Sequence, residues 1–407
     1  MAYEKVRIQP DGFRDERRVV IIDYNHLAYK FLFGATPLSV RVDIGNGLTK
    51  VVDTTIASHT IKYIVNATRR GLDHCIVCMD SKIISRKEGF QIESEKWSFG
   101  EPYKANRKDN RSNTSALFDG IGLTETLLRQ SGVTVLREIN YEADDLVMSA
   151  IQKAKREFPD MPIDVITGDW DYAPLVDEQV RVYMVSRKST YASEQGIKHN
   201  KYVELNPLTV EEFTNETSEF KNRYVPYNSL LLWKILRGDK SDGIFPMKEI
   251  SPNNGKLRNR WTPASMKELL EQMSIQGLLT PTLFGYSPNK TYVYNKVTGA
   301  TYTTEQATEL VRTNQVPREQ LHIKIGETEN HNEMVNALDK MIELGYLDDD
   351  DKEFIIGRYA LMNLNGAFIH TNTKRAPYIM TEDITRIDID RLQRVVDYLQ
   401  IKIPREI

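Results

Sequence analysis

Asp164-Val-Ile-Thr-Gly-Asp-Trp-Asp171 is the stretch that decides how this chain folds. Its first four residues read as a short apolar strand between Pro162 and Gly168, and Asp169 and Asp171 follow where that strand runs out. Two carboxylates therefore project from one strand end. Shortly before it, Tyr141-Glu-Ala-Asp-Asp145 opens the run Leu146-Val-Met-Ser-Ala-Ile151, whose composition suits a helix. Glu142, Asp144 and Asp145 then fall in its first turn, with Glu142 and Asp145 on one face. So many acids in two short segments repel one another unless a cation sits between them, and hard divalent cations with oxygen ligands are the usual answer.

Working outward, Arg18-Val-Val-Ile-Ile-Asp23 repeats the pattern of a strand ending in an aspartate, and residues 25–33 look helical. Residues 54–70 have the spacing of an amphipathic helix, and 75–79 form a second apolar strand that ends at Asp80. A helix over 120–130, a strand over 133–137 and a last strand over 180–185 follow. Strands separated by helices predict an α/β fold, a mostly parallel sheet with helices on both faces. In such sheets ligands bind outside the carboxyl ends of the strands, where Asp23, Asp80, Asp169 and Asp171 all fall. For Asp23 or Asp80 taken singly, the cap of the following helix is the favoured reading. Capping explains all four aspartates beside the Glu142 cluster poorly. Cys75 and Cys78 form a C-x-x-C inside a strand-like run, so they face opposite ways and are expected as core residues, not as a zinc or redox pair.

The 407 residues, 40% apolar and 27% charged, are enough for two domains with a substantial core. A net charge of -3 means that a polyanionic partner must be met by local basic patches. One holds Lys82, Arg86, Lys87, Lys104, Arg107, Lys108 and Arg111 with Phe90, Trp97, Phe99 and Tyr103 interleaved; the other runs from Lys234 to Lys267. A solvated charged face is the plain alternative for each. Residues 81–119 lack core periodicity and exceed an ordinary connection. No segment approaches a membrane span, and residues 1–18 are too charged for a secretory signal, so the expected compartment is the cytoplasm, with no membrane contact.

Beyond residue 185 the pattern turns mainly helical. An apolar helix over 228–236 ends at Gly238, where Asp239 and Asp242 flank Lys240. A helix over 263–273 starts from Thr262 as cap, a hairpin is predicted over 291–303, and helices over 332–344, 352–364 and 389–399 follow. The acidic run 348–351 reads as a solvated turn, lacking the alternation and glycine of a calcium loop.

A carboxylate-only metal site at a sheet edge, flanked by basic and aromatic segments, points to phosphodiester hydrolysis. No P-loop, dinucleotide fingerprint or zinc spacing competes with it. In order, Ile22-Asp23, Met79-Asp80, Tyr103-Lys104-x-x-Arg107, Glu142-Ala-Asp-Asp145, Thr167-Gly-Asp-x-Asp171 and Gly238-Asp-x-x-Asp242 resemble the signature of the 5′-nuclease (flap endonuclease) family, most closely its bacteriophage branch. The likeness covers roughly residues 18–275.

The resemblance implies a PIN-like fold and metal-dependent 5′ to 3′ hydrolysis of RNA primers (an RNase H activity), DNA 5′ ends and 5′ flaps in replication. By matching positions it implies two Mg2+ ions, with Mn2+ as a substitute. Asp23, Asp80, Glu142, Asp144 and Asp169 would serve the first, and Asp145, Asp171, Asp239 and Asp242 the second. Lys104 and Arg107 would polarise the scissile phosphate, and Tyr103 would stack on a nucleotide. Residues 81–119 would form an arch for single-stranded 5′ ends. The chain then divides into a leader (1–18), a catalytic domain (19–185), a DNA-binding region with a modified helix-three-turn-helix (186–275), an insertion with a β-hairpin (276–330) and a helical end (331–407).

The long, polar connection after Asp242, with Phe245 where relatives carry a shorter motif, makes Lys256, Arg258 and Arg260 candidate phosphate contacts beside Lys87 and Lys240. Partners implied are DNA and RNA-DNA duplexes with 5′ ends or flaps and, through the replication role, a single-stranded DNA binding protein and a sliding clamp; a monomer is expected. Two other readings stay open from the residues: a PIN-type ribonuclease on free RNA, and a catalytically silent binder of branched DNA.

Overall fold

Val, Ile and Cys dominate the runs 19–23, 74–78 and 163–167, and such residues fill a pleated surface buried on both faces. The computed structural model describes residues 17–68, 73–81, 86–97, 111–175, 179–185, 202–205, 230–239, 244–278, 292–295, 297–324, 329–362, 378 and 380–400. The chain begins with β1 (Val19–Asp23), α1 (Tyr24–Gly34), the hairpin β2 (Ser39–Gly45) and β3 (Leu48–Asp53), α2 (Thr55–Ala67) and β4 (His74–Cys78). Next come α3 (Arg86–Lys96), α4 (Arg111–Gln130), β5 (Thr134–Leu136), α5 (Ala143–Glu157), β6 (Ile163–Thr167), a 3-10 turn (Trp170–Leu175), β7 (Val180–Val185) and β8 (Tyr202–Leu205). The second half holds α6 (Leu230–Arg237), β9 (Lys248–Ile250), β10 (Leu257–Asn259), α7 (Pro263–Ile275), β11 (Tyr292–Asn295), β12 (Thr301–Thr303) and α8 (Thr304–Arg312). It closes with β13 (Leu321–Lys324), α9 (Glu329–Glu343), α10 (Asp349–Met362) and α11 (Ile389–Tyr398).

Among the described residues the main sheet runs β5-β4-β1-β6-β7-β8, parallel from β5 to β7. This is the mostly parallel α/β sheet with helices on both faces that the sequence predicts. β7 is not the last strand: β8 pairs antiparallel on its outer side, a short Tyr-Val-Glu-Leu edge that carries little pattern of its own. From β1 the chain steps outward to β4 and β5, then returns to the other side of β1 as β6. The direction reverses between β1 and β6, the place where open α/β sheets hold their ligands.

Alternation sorts the strand residues into two cores. Val20, Ile22, Cys75 and Val77 pack with α1, α2, α4 and α11, while Val19, Ile21, Ile76 and Cys78 pack with α5, α6, α7, α9 and α10. The two cysteines lie unbridged in different cores, and burial pushes both thiols up, away from the thiolate that metal or redox work needs. At the strand-start edge, acids are matched by arginines. Arg18 donates to Asp73 (3.1 Å) and Asp164 (2.6 Å), and Arg181 Nε donates to Asp164 (2.6 Å).

Several expectations change. Residues 39–53 form the β2–β3 hairpin, for which Gly45-Asn-Gly47 supplies the turn. The 81–119 segment contains α3 and the start of α4, and Phe90 on α3 is buried. Between α6 and α7 stands an antiparallel hairpin, β9–β10. The predicted 291–303 hairpin gains a third strand, β13, and a small core of Val293, Ala307 and Leu321. Asp348 to Asp351 is not a solvated turn. Asp348 caps α10, its Oδ1 accepting from the Asp351 amide (2.9 Å), and Asp351 is fully buried against Arg260 and Trp261. Arg358, also buried, sits 3.8 Å from the Phe245 ring and 5.6 Å from that of Phe90, so it joins α10, α3 and the connection after α6.

Candidate metal centre

The strand register brings the acids together. Asp23 is level with Cys78 on β4, and Ile22 with Ile166 on β6, so the residues just past those strands, Asp80 and Asp169, flank Asp23. Thr167 donates its hydroxyl to Asp23 Oδ2 (2.8 Å) and accepts the Asp169 amide (3.0 Å), holding the two strand ends in step. Gly168 is required between them: a Cβ there would lie 2.3 Å from the His26 ring of α1. Asp171 follows on the 3-10 turn, its amide donating to Asp169 Oδ1 (3.0 Å). Asp80 is held by Asn25 Nδ2 (2.6 Å) and by the Ala143 amide (2.7 Å) at the start of α5. Arg137, paired with Glu125 (2.8 Å), donates to the Asp80 carbonyl (3.2 Å).

Glu142 is the N-cap of α5, with Asp144 and Asp145 in the first turn. The shared face of Glu142 and Asp145 takes the form of a capping box, the Glu142 amide donating to Asp145 Oδ2 at 2.9 Å. Asp145 therefore has a structural task. On the far side, α6 ends at Gly238, whose positive φ turns the chain so tightly that a Cβ would meet the Ile244 carbonyl at 2.5 Å. This turn delivers Asp239 to the site, where Lys234 pairs with both Asp171 and Asp239, the latter at 2.7 Å.

The electrostatics are those of acid against acid. Burial, then Asp144 and Asp80, push the Asp23 carboxyl well above the usual carboxylate range, and the Thr167 hydrogen bond opposes them. Tyr172 lies beneath, its hydroxyl buried without a protein partner among the described residues and its pKa pushed up by burial, Asp23, Asp144 and Asp169. The donor set fits a hard divalent cation: the candidate ligands are all carboxylates, and a cation relieves the repulsion at Asp23. Gathering is incomplete. Among the described residues no three acidic, histidine or cysteine groups stand close enough to hold an ion as they are.

Tyr103, Lys104, Arg107, Lys240 and Asp242 lie outside the described residues, and for Lys87 only its place on α3 is described. Lys256 is exposed, and exposed Arg258 on β10 bonds Glu249 (2.7 Å). Arg260 departs from the expected role: Asp351 (2.8 Å) and Asp348 take up its guanidinium, so it ties the hairpin to α10 instead of facing phosphates. Sequence reasoning missed Lys234, counted only within a basic run, and Asn25, whose place two residues after Asp23 was its only signal.

Residues 18–203 match the family model described as 5′-3′ exonuclease, N-terminal resolvase-like domain. This segment belongs to the 5′-nuclease family. The chain is also similar to DNA polymerase I of Caldicellulosiruptor bescii, 26% identical over 261 residues, covering 63% of this chain and 26% of that protein. DNA polymerase I of Mycobacterium bovis is 33% identical over 138 residues, 34% of this chain and 13% of the relative. The chain thus spans about a quarter or less of the length of these curated relatives. Among solved structures, a bacteriophage T5 flap endonuclease in a pseudo-enzyme-product complex with DNA and metal ions overlays with a TM-score of 0.44 at 11% identity, covering 94% of this chain and 100% of that one. No described helix is long and apolar enough to cross a membrane.

Proposed function

We propose that the chain is a metal-dependent 5′ to 3′ exonuclease and flap endonuclease of the phage type, acting on RNA primers, DNA 5′ ends and 5′ flaps in replication. The observation that supports this most is the grouping of Asp23, Asp80, Asp144 and Asp169 at the strand ends, with Asp171 joined through Lys234 to Asp239 of the helical half. Two Mg2+ ions, or Mn2+ in their place, would be held among these carboxylates and would supply the activation of water and the offset of charge on the phosphate oxygens that hydrolysis needs. Asp23, Asp80, Glu142, Asp144 and Asp169 would hold one, and Asp145, Asp171, Asp239 and Asp242 the other.

Thr167 and Asn25 aim the carboxylates of Asp23 and Asp80. Lys104 and Arg107 neutralise the scissile phosphate and Tyr103 stacks on the neighbouring base. Lys87, Lys240, Lys256 and Arg258 grip the duplex backbone; Arg260 is left out because its guanidinium is held by Asp351 and Asp348. The test is cleavage of a nicked duplex carrying a 5′ RNA-DNA flap, labelled at both ends, with Mg2+ and with EDTA. Mg2+-dependent release of short 5′ fragments is expected. Tight binding without cleavage in Mg2+ and in Mn2+ would leave a branched-DNA binder instead.

A further inference from the structure

We propose that Lys234 is a built-in counter-ion at the position of the second divalent cation, so that this chain takes up one ion firmly and a second only when the Lys234 ammonium is displaced. The inference rests on the metal-dependent reading above. Its basis is the placement of Nζ between the carboxylates of Asp171 and Asp239, 2.7 Å from Asp239 Oδ2, with all three side chains largely shielded from water. The donor at Asp23 is by contrast neutral, the Thr167 hydroxyl.

Three features hold the ammonium there. Lys234 lies in the last turn of α6, where the helix dipole favours a cation. Asp239 cannot swing away freely, because its amide donates to the Ile244 carbonyl (2.9 Å) and its carbonyl accepts from the Ile244 amide (2.8 Å). Asp171 is fixed from its own backbone by Asp169. An ammonium sits about 2.8 Å from a carboxylate oxygen and a divalent ion about 2.0–2.6 Å. Both cations therefore compete for the same two oxygens, Asp171 Oδ1 and Asp239 Oδ2, and like charge keeps them apart.

The experiment is titration of the DNA-free full chain with Mn2+, counting bound ions by electron paramagnetic resonance and calorimetry, for the wild type, Lys234→Met and Lys234→Gln. The wild type is expected to bind one ion, with a second at least tenfold weaker. Both variants should bind the second at least tenfold more tightly than the wild type, with the first unchanged. Two ions of equal affinity in the wild type would overturn the proposal without any variant, and so would an unchanged or weakened second ion in folded Lys234→Met or Lys234→Gln. No Mn2+ bound by any of the three would instead overturn the metal-dependent reading itself.

Discussion

Asp23 carries the conflict on which the site is built. Its carboxyl is buried, faces Asp144, Asp80 and Asp169, and is raised well above the usual range. A group whose folded pKa exceeds its unfolded value, near ~4, contributes stability that is complete below the unfolded pKa and lost as pH rises through the folded one. In EDTA the thermal midpoint is therefore expected to fall as pH climbs from the acid range toward neutrality. Asp23→Asn should abolish most of that slope and raise the midpoint at neutral pH. Added Mg2+ should flatten the slope in the wild type but have little effect in the variant. A wild-type midpoint that climbs with pH in EDTA would contradict this account of the cluster.

Among the elements, the β9–β10 hairpin and α10 meet through Arg260, Trp261 and Asp351. Arg260→Ala would leave Asp351 buried without its cation, at a cost on the order of 3 kcal/mol. Denaturant unfolding should register that loss, while the salt dependence of DNA binding stays as in the wild type. A shallower salt slope with unchanged stability would return Arg260 to the phosphate contacts.

The strands were legible because Val19 to Asp23 and Ile163 to Thr167 are apolar on both faces, and the acids that end them stand out against that background. The short edge β8 was not, since four residues within a polar stretch carry no period. Nor was the β2–β3 hairpin, whose alternation is offset by a largely exposed surface, although Gly45-Asn-Gly47 marks its turn. Asp351 was misread because burial of a charged residue depends on a partner 91 positions away, which no local pattern reveals. Lys234 was missed for the same reason: one of its two partners, Asp171, lies 63 positions away.

At the scale of the molecule, the end of the chain closes the sheet. His74 bridges to Arg386, Thr134 Oγ1 donates to the Asp383 carbonyl (2.9 Å), and Met380 donates its amide to Ser149 Oγ (2.8 Å). Ile387, Leu392, Val395, Val396 and Leu399 complete the core beneath α4. Ending the chain at residue 377 should therefore expose both that core and the β5 edge, an open template for pairing with other chains. Size-exclusion chromatography is expected to show aggregation, and urea unfolding a lower midpoint. A monomer with the full-length midpoint would show that this segment is dispensable.

The packing of residues 380–399 against the sheet and α4 bears on how the molecule could be inherited or cut. Residues 18–203 are the stretch that comparison marks off, yet one of its two cores is finished by 387–399 and the other by helices from 230 to 362. The boundary of kinship is thus not a boundary of folding. A gene fragment encoding only the related stretch would yield a sheet with both layers of helices incomplete. For this stretch to be shuffled as a module, the helices from 230 to 362 and residues 387–399 would have to travel with it.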